Sequence, residues 1–371
     1  MHDCFKSRGF LPCDDPDSQL TLGNEFELLD QLGQQLPSLL LEDHCRDFLA
    51  HQTIPEWPCD NISHEMLAQA RLYYMRLSFM ASAYINQIGQ PHCHMLPENI
   101  ARPLVKIARL LGRPPILGYD GYVLYNWQRF DTDKPIALGN IDTLQSFVHL
   151  YDERWFILTH VEIEAIATQI LQALDDWQEE LDSDSWRDEQ LNAAMHRMMV
   201  AIKAMTEILK RIPERMSDSL YFSHFRPYFG NFDDVVYEGT VYDGVIQPAL
   251  NFHGEADTQS AIMPTLQAFL KIPHQPNRLI KHLLDMRNYM PATHRNYIEK
   301  VEQLPDPKPL TAPELFDDTL EAIAEFREVH YHWTIKYIAR RDNDQQGSGD
   351  TPHIKWLQYL IDETRNYKSS E

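Results

Sequence analysis

The chain has 371 residues, 43% of them hydrophobic, which supplies the core of one large domain or two unequal ones. Only 14 are glycine, which excludes Gly-rich phosphate loops and a β-sandwich of many tight turns. A formal net charge of −22 repels phosphate backbones and excludes nucleic acid as a partner, and no stretch approaches the roughly 18 apolar residues of a membrane span.

Residues 1 to 25 read as an irregular arm rich in Asp, Pro and Gly, without the apolar core of a secretion signal. The expected compartment is the cytoplasm. The five cysteines, Cys4, Cys13, Cys45, Cys59 and Cys93, lack CxxC spacing, so free thiols are expected rather than a disulfide framework or a zinc site. Helical periodicity covers Glu25–Gln35 and Met66–Ile88, then Leu104–Leu111, which Gly112 and Pro114-Pro115 stop. A loop-rich stretch ends near Leu150. Long amphipathic helices are predicted over Trp155–Leu181 and Trp186–Ile212. The change of texture near residue 148 divides the chain into a small N-terminal domain (1–148) and a large helical one (149–371).

Residues 227–257, with several Gly and Asn, read as loop. Helices are predicted over Ala261–Lys271, Arg278–Tyr289 and His294–Leu304. The last long helix opens with a capping-box pattern, Thr311-Ala-Pro-Glu314, and runs to Arg341, roughly 45 Å at 1.5 Å per residue. A polar break at 342–350 and a final helix over Pro352–Tyr367 follow. The fold class is all-α, with a small N-terminal helical domain and a larger C-terminal bundle.

His330 stands on that last long helix with Ile323, Phe326, Trp333 and Tyr337 on its face and Arg327 three residues earlier. A flat apolar macrocycle fits such a face, with iron on His330 and a propionate on Arg327. A buried imidazole satisfied by a backbone carbonyl is the other reading. His332, two residues on, points elsewhere, so the pair is a poor zinc site. Arg226 lies among Tyr221, Phe222, Phe225, Tyr228 and Phe229 and offers planar recognition of a carboxylate. Stacking of a surface arginine on a ring is its alternative. His160 has Glu164 one turn on, which fits either a polar group over an active site or an ordinary helical pair. A di-iron bundle needs Glu-x-x-His on two helices, and no such pair is suitably placed. The Pro91-His-Cys-His94 loop has no second cluster and is read as structural. No Gly-x-Ser-x-Gly, Walker or Gly-x-Gly-x-x-Gly motif occurs.

Four blocks, in order, resemble the indoleamine 2,3-dioxygenase family. They are Gly112-Arg-Pro-Pro through Tyr125-Asn-Trp127, Tyr221-Phe-Ser-His-Phe-Arg226, Met286-Arg-Asn-Tyr-Met-Pro-Ala-Thr-His-Arg-Asn296, and Arg327-x-x-His330 with Thr334-x-Lys336-Tyr337-Ile338. The resemblance implies haem b between the two domains, with His330 as proximal iron ligand, Arg327 on a propionate and Phe326 against the macrocycle. It implies that Arg226 clamps a substrate carboxylate and Phe222 packs on the indole beside Tyr221. Tyr119 and Val123 would line the distal pocket, and His160 falls where it would accept the indole N–H. His294 and Arg295 are read as structural.

One departure matters. The family's small-residue distal loop is replaced by Gly254-Glu-Ala-Asp-Thr-Gln-Ser-Ala261, in which Gly254 and Ala256 would border the substrate. Glu255 and Asp257, if desolvated there, would repel propionates and a substrate carboxylate by roughly several kcal/mol. Gly347-Ser-Gly349 resembles a lid. The expected partners are a small indole substrate and O₂, with tryptophan giving N-formylkynurenine. Another oxidation of an indole amino acid, or non-enzymatic binding of an aromatic ligand, are the alternatives. A monomer is compatible with the sequence.

Overall fold

The computed structural model describes residues 7–183, 185–254, 257–339 and 353–368, and it is an all-helical architecture with small strand pieces. Among the described residues, no helix is long and apolar enough to cross a membrane. The first half centres on the Leu67–Ile85 helix. Most of its residues are buried on every side, as its lack of a polar face dictates. Its Arg76 is buried and satisfied by Asp30 at 3.1 Å and Gln145 at 2.7 Å. The Glu27–Leu39 and Glu98–Leu110 helices pack against it. The arm is irregular yet anchored: Phe10, Leu11 and Leu20 are buried, and Phe10 meets the His294 ring at 4.8 Å.

The predicted 155–181 helix is two, Tyr151–Ile166 and Thr168–Leu181, in contact with one another. The first starts earlier than periodicity indicates. Buried Glu153 accepts the backbone N–H groups of Phe147 and Val148, so a polar-looking turn is fixed by internal bonds. The Asp188–Leu209 helix packs on both and on Pro313–Thr334, which in turn holds His353–Asn366. A five-residue π-helical turn, Ile335–Ala339, ends that long helix.

Three expectations are corrected. Residues 227–257 are not simply loop: strand Phe232–Tyr237 pairs parallel with Met95–Leu96 and antiparallel with Ala249–Phe252. The Thr311 capping box does not form. The Thr311 hydroxyl donates to the Pro307 carbonyl at 2.7 Å, and Ala312 at the N-cap donates its N–H to Asn192 at 2.8 Å. Cys13 is disulfide-bonded, while Cys45, Cys59 and Cys93 are thiols, so an odd count concealed a cross-link.

Candidate active site

Helical spacing brings the site together. His160 and Ile163 share one face of Tyr151–Ile166, and Met205 and Leu209 share one of Asp188–Leu209. Phe326, Arg327 and His330 share one of Pro313–Thr334. All seven line a single, mainly apolar cavity of about 1140 Å³ with its mouth included. Tyr119 and Ser260 complete the wall beside His160.

His330 is half-buried, and its own carbonyl accepts the Thr334 hydroxyl at 3.0 Å. His332 is exposed, with Nδ1 against the Glu328 carbonyl at 2.7 Å. Arg327 is buried and donates to the Leu360 carbonyl at 2.9 Å and to the Thr364 hydroxyl. Burial pulls its pKa down to about 10, partly offset by the charge of Glu363. It remains a cation, yet its hydrogen-bond acceptors are neutral. Such a guanidinium on a cavity wall is a ready receptor for a carboxylate.

His160 is buried, and its Nδ1 lies 2.8 Å from the Phe156 carbonyl. A carbonyl only accepts, so Nδ1 donates the proton of this bond. Glu164 does not orient this ring. Its Oε1 accepts the Tyr119 hydroxyl at 3.0 Å and the Ser260 hydroxyl at 2.7 Å. Burial raises the Glu164 carboxyl to about 7, against the pull of those two donors. Spacing alone named Glu164 a neighbour of His160. The fold instead makes it the link between Tyr119, at the entry to the π-helical turn Asp120–Leu124, and Ser260.

Phe156 meets the His160 ring at a tilt, 4.4 Å between centroids, and reaches Tyr221 at 5.7 Å. Tyr221 is buried against Tyr337. Arg226 sits over the Phe222 ring at 5.2 Å, as its ring-stacking alternative expects, but its Nη2 is buried without a hydrogen-bond partner. Arg226, Phe222, Tyr221 and Val123 do not themselves line the cavity. Val123 is buried in the π-helical turn Asp120–Leu124. Gly254 is wedged against backbone: a Cβ there would stand 1.8 Å from the Phe229 carbonyl oxygen. Its own carbonyl accepts Gln259, which also accepts the Tyr119 N–H at 2.9 Å, so Gly254 and Tyr119 are tied through one amide. Ala256, Glu255, the Asp257 side chain and the 347–349 segment lie outside the described residues.

Burial lowers the His294 pKa to about 3, and Arg295 clamps the Met290 carbonyl at 2.6 Å and the Gly112 carbonyl at 3.3 Å. Among the described residues no group of three His, Cys, Asp or Glu is placed to hold a metal ion, and His92 and His94 bond instead to Asn86 and the Asp233 carbonyl. His274, Arg287 and Ser260 also border the cavity without having been singled out from sequence. His274 lies in a Pro-flanked loop, where no period marks an inward face.

The model of the family described as indoleamine 2,3-dioxygenase matches residues 2–370. Human indoleamine 2,3-dioxygenase 2 is 27% identical over 337 residues, covering 87% of this chain and 80% of that protein. The 6-hydroxytryptophan 2,3-dioxygenase of Fusarium equiseti is 26% identical over 363 residues, 92% and 86% of the two chains. A protein named myoglobin from Haliotis madaka is 25% identical over 367 residues, 93% of each. With nearly its whole length matched, and a histidine and a buried arginine one turn apart on a cavity wall, this chain belongs to the indoleamine 2,3-dioxygenase family.

Proposed function

We propose that this protein is a haem-dependent dioxygenase that opens the indole ring of tryptophan or a related indoleamine. The observation that carries the reading is that His330, Arg327 and His160 line one apolar cavity. The residues fit haem b. His330 would hold its iron, Phe326 would pack on the macrocycle, and the buried Arg327, held by neutral acceptors, would receive a propionate. When bound, the haem supplies the redox chemistry that adds both atoms of O₂ across the indole C2=C3 bond, giving an N-formylkynurenine-type product.

The protein's share is binding and orientation. Arg226, with a buried and unpartnered Nη2, takes the substrate carboxylate, and Phe222 beneath it excludes water from that contact. His160, its Nδ1 proton committed to the Phe156 carbonyl, accepts the indole N–H on Nε2 and fixes the ring's rotation. Tyr221 holds Phe156 against His160, and Tyr119 walls the same side. No general base is required of the protein.

The test is turnover. Reduced, haem-loaded protein given tryptophan under ¹⁸O₂ is expected to release N-formylkynurenine with both labels. Reversible O₂ binding with no product would overturn this reading.

A further inference from the structure

The cavity has a second polar corner. The loop after the Ile262–Leu270 helix carries His274 to its wall. The Nδ1 of His274 is bonded to Glu363, whose other oxygen accepts the Tyr359 hydroxyl at 3.0 Å. The Nε2 of His274 is buried and has no hydrogen-bond partner. Buried polar atoms are seldom left unmatched, so an orphan on a cavity wall marks a ligand that completes it.

Charge narrows the ligand. His274 and Arg327 line the same cavity, and the Glu363 carboxylate bonded to His274 also acts on the charge of Arg327. Bare, the Glu363 carboxylate would oppose an anion binding Arg327. With both nitrogens protonated, the His274 ring would donate one N–H to Glu363 and the other into the cavity, covering the carboxylate's charge there. A hydrogen-bond donor beside a buried guanidinium suits a carboxylate.

We propose that His274, held by Glu363, is a second anchor for a porphyrin carboxylate, alongside Arg327. The inference rests on the haem reading above and concerns a residue separate from the iron ligand. His274 acts as a positioning residue: it seats the macrocycle and does not touch the reacting atoms.

The test is titration of the purified full chain with hemin, and in parallel with hemin dimethyl ester, whose propionates are capped, read by Soret absorbance. His274→Ala is expected to weaken hemin binding about tenfold, the scale of one lost charge-assisted contact. It is expected to leave the ester's affinity unchanged. His274→Ala with Glu363→Gln should recover part of the loss, because the uncovered carboxylate is gone. Equal hemin affinity in His274→Ala and wild type overturns the proposal. So does an equal loss with the ester, which would mean that His274 acts on the iron or on folding. A wild-type chain that takes up no hemin overturns both this inference and the haem reading, so the two failures are distinguishable.

Discussion

The Tyr119 hydroxyl donates to the Glu164 carboxylate at 3.0 Å inside the protein, with both residues buried. A segment of the first half of the chain is thereby tied to the helix that carries His160. The second oxygen of that carboxylate is buried without a hydrogen-bond partner. Burial, the largest influence, raises Glu164 from 4.5 to about 7, and buried Glu153 is raised similarly. The folded value exceeds the unfolded one, so stability from Glu164 is fully present below about pH 4.5. It falls as pH rises and levels off above about pH 7, a total on the order of 3 kcal/mol. Urea unfolding at about pH 5.5 and about pH 8 should show wild type losing roughly 2 kcal/mol relative to Glu164→Gln. An unchanged gap between the two proteins would show that Glu164 titrates alike folded and unfolded.

Arg226 makes a substrate-specific prediction. Arg226→Ala should lower kcat/KM for tryptophan by about 2–4 kcal/mol, the worth of a desolvated charge-assisted pair. Tryptamine, which lacks the carboxylate, should be turned over equally by wild type and variant. An equal loss for both would assign Arg226 a packing role on Phe222 instead.

His160 is tested by the indole nitrogen. His160→Ala should weaken tryptophan binding to the haem-loaded protein about five- to tenfold, the net value of one neutral hydrogen bond. The N1-methyl analogue has no N–H to donate, so its affinity should not change. Parallel losses would mean that the ring contributes shape alone.

Much of this was legible in the sequence wherever period sets geometry. Phe326, Arg327 and His330 fall on one helical face at 3.6 spacing, and they do line one wall. Contacts that depend on distant partners were not legible. The parallel pairing of Met95 with Val236 joins segments that carry no mutual signal, so Gly- and Asn-rich flanks masked the strands. Competition among nearby acceptors defeated two local readings. Thr311 gave its hydroxyl to the Pro307 carbonyl, and His160 gave its Nδ1–H to the Phe156 carbonyl rather than to Glu164. His274 was silent because its loop has no period, and its partner Glu363 lies on another helix.

In the haem reading the His330 imidazole on the Pro313–Thr334 helix binds the iron of a porphyrin in this cavity. The most direct test is Soret titration of purified wild-type and His330→Ala protein with hemin. Saturation at one equivalent for wild type and no stoichiometric uptake by the variant is the predicted result. Full uptake by His330→Ala, with an unaltered Soret band, would contradict it.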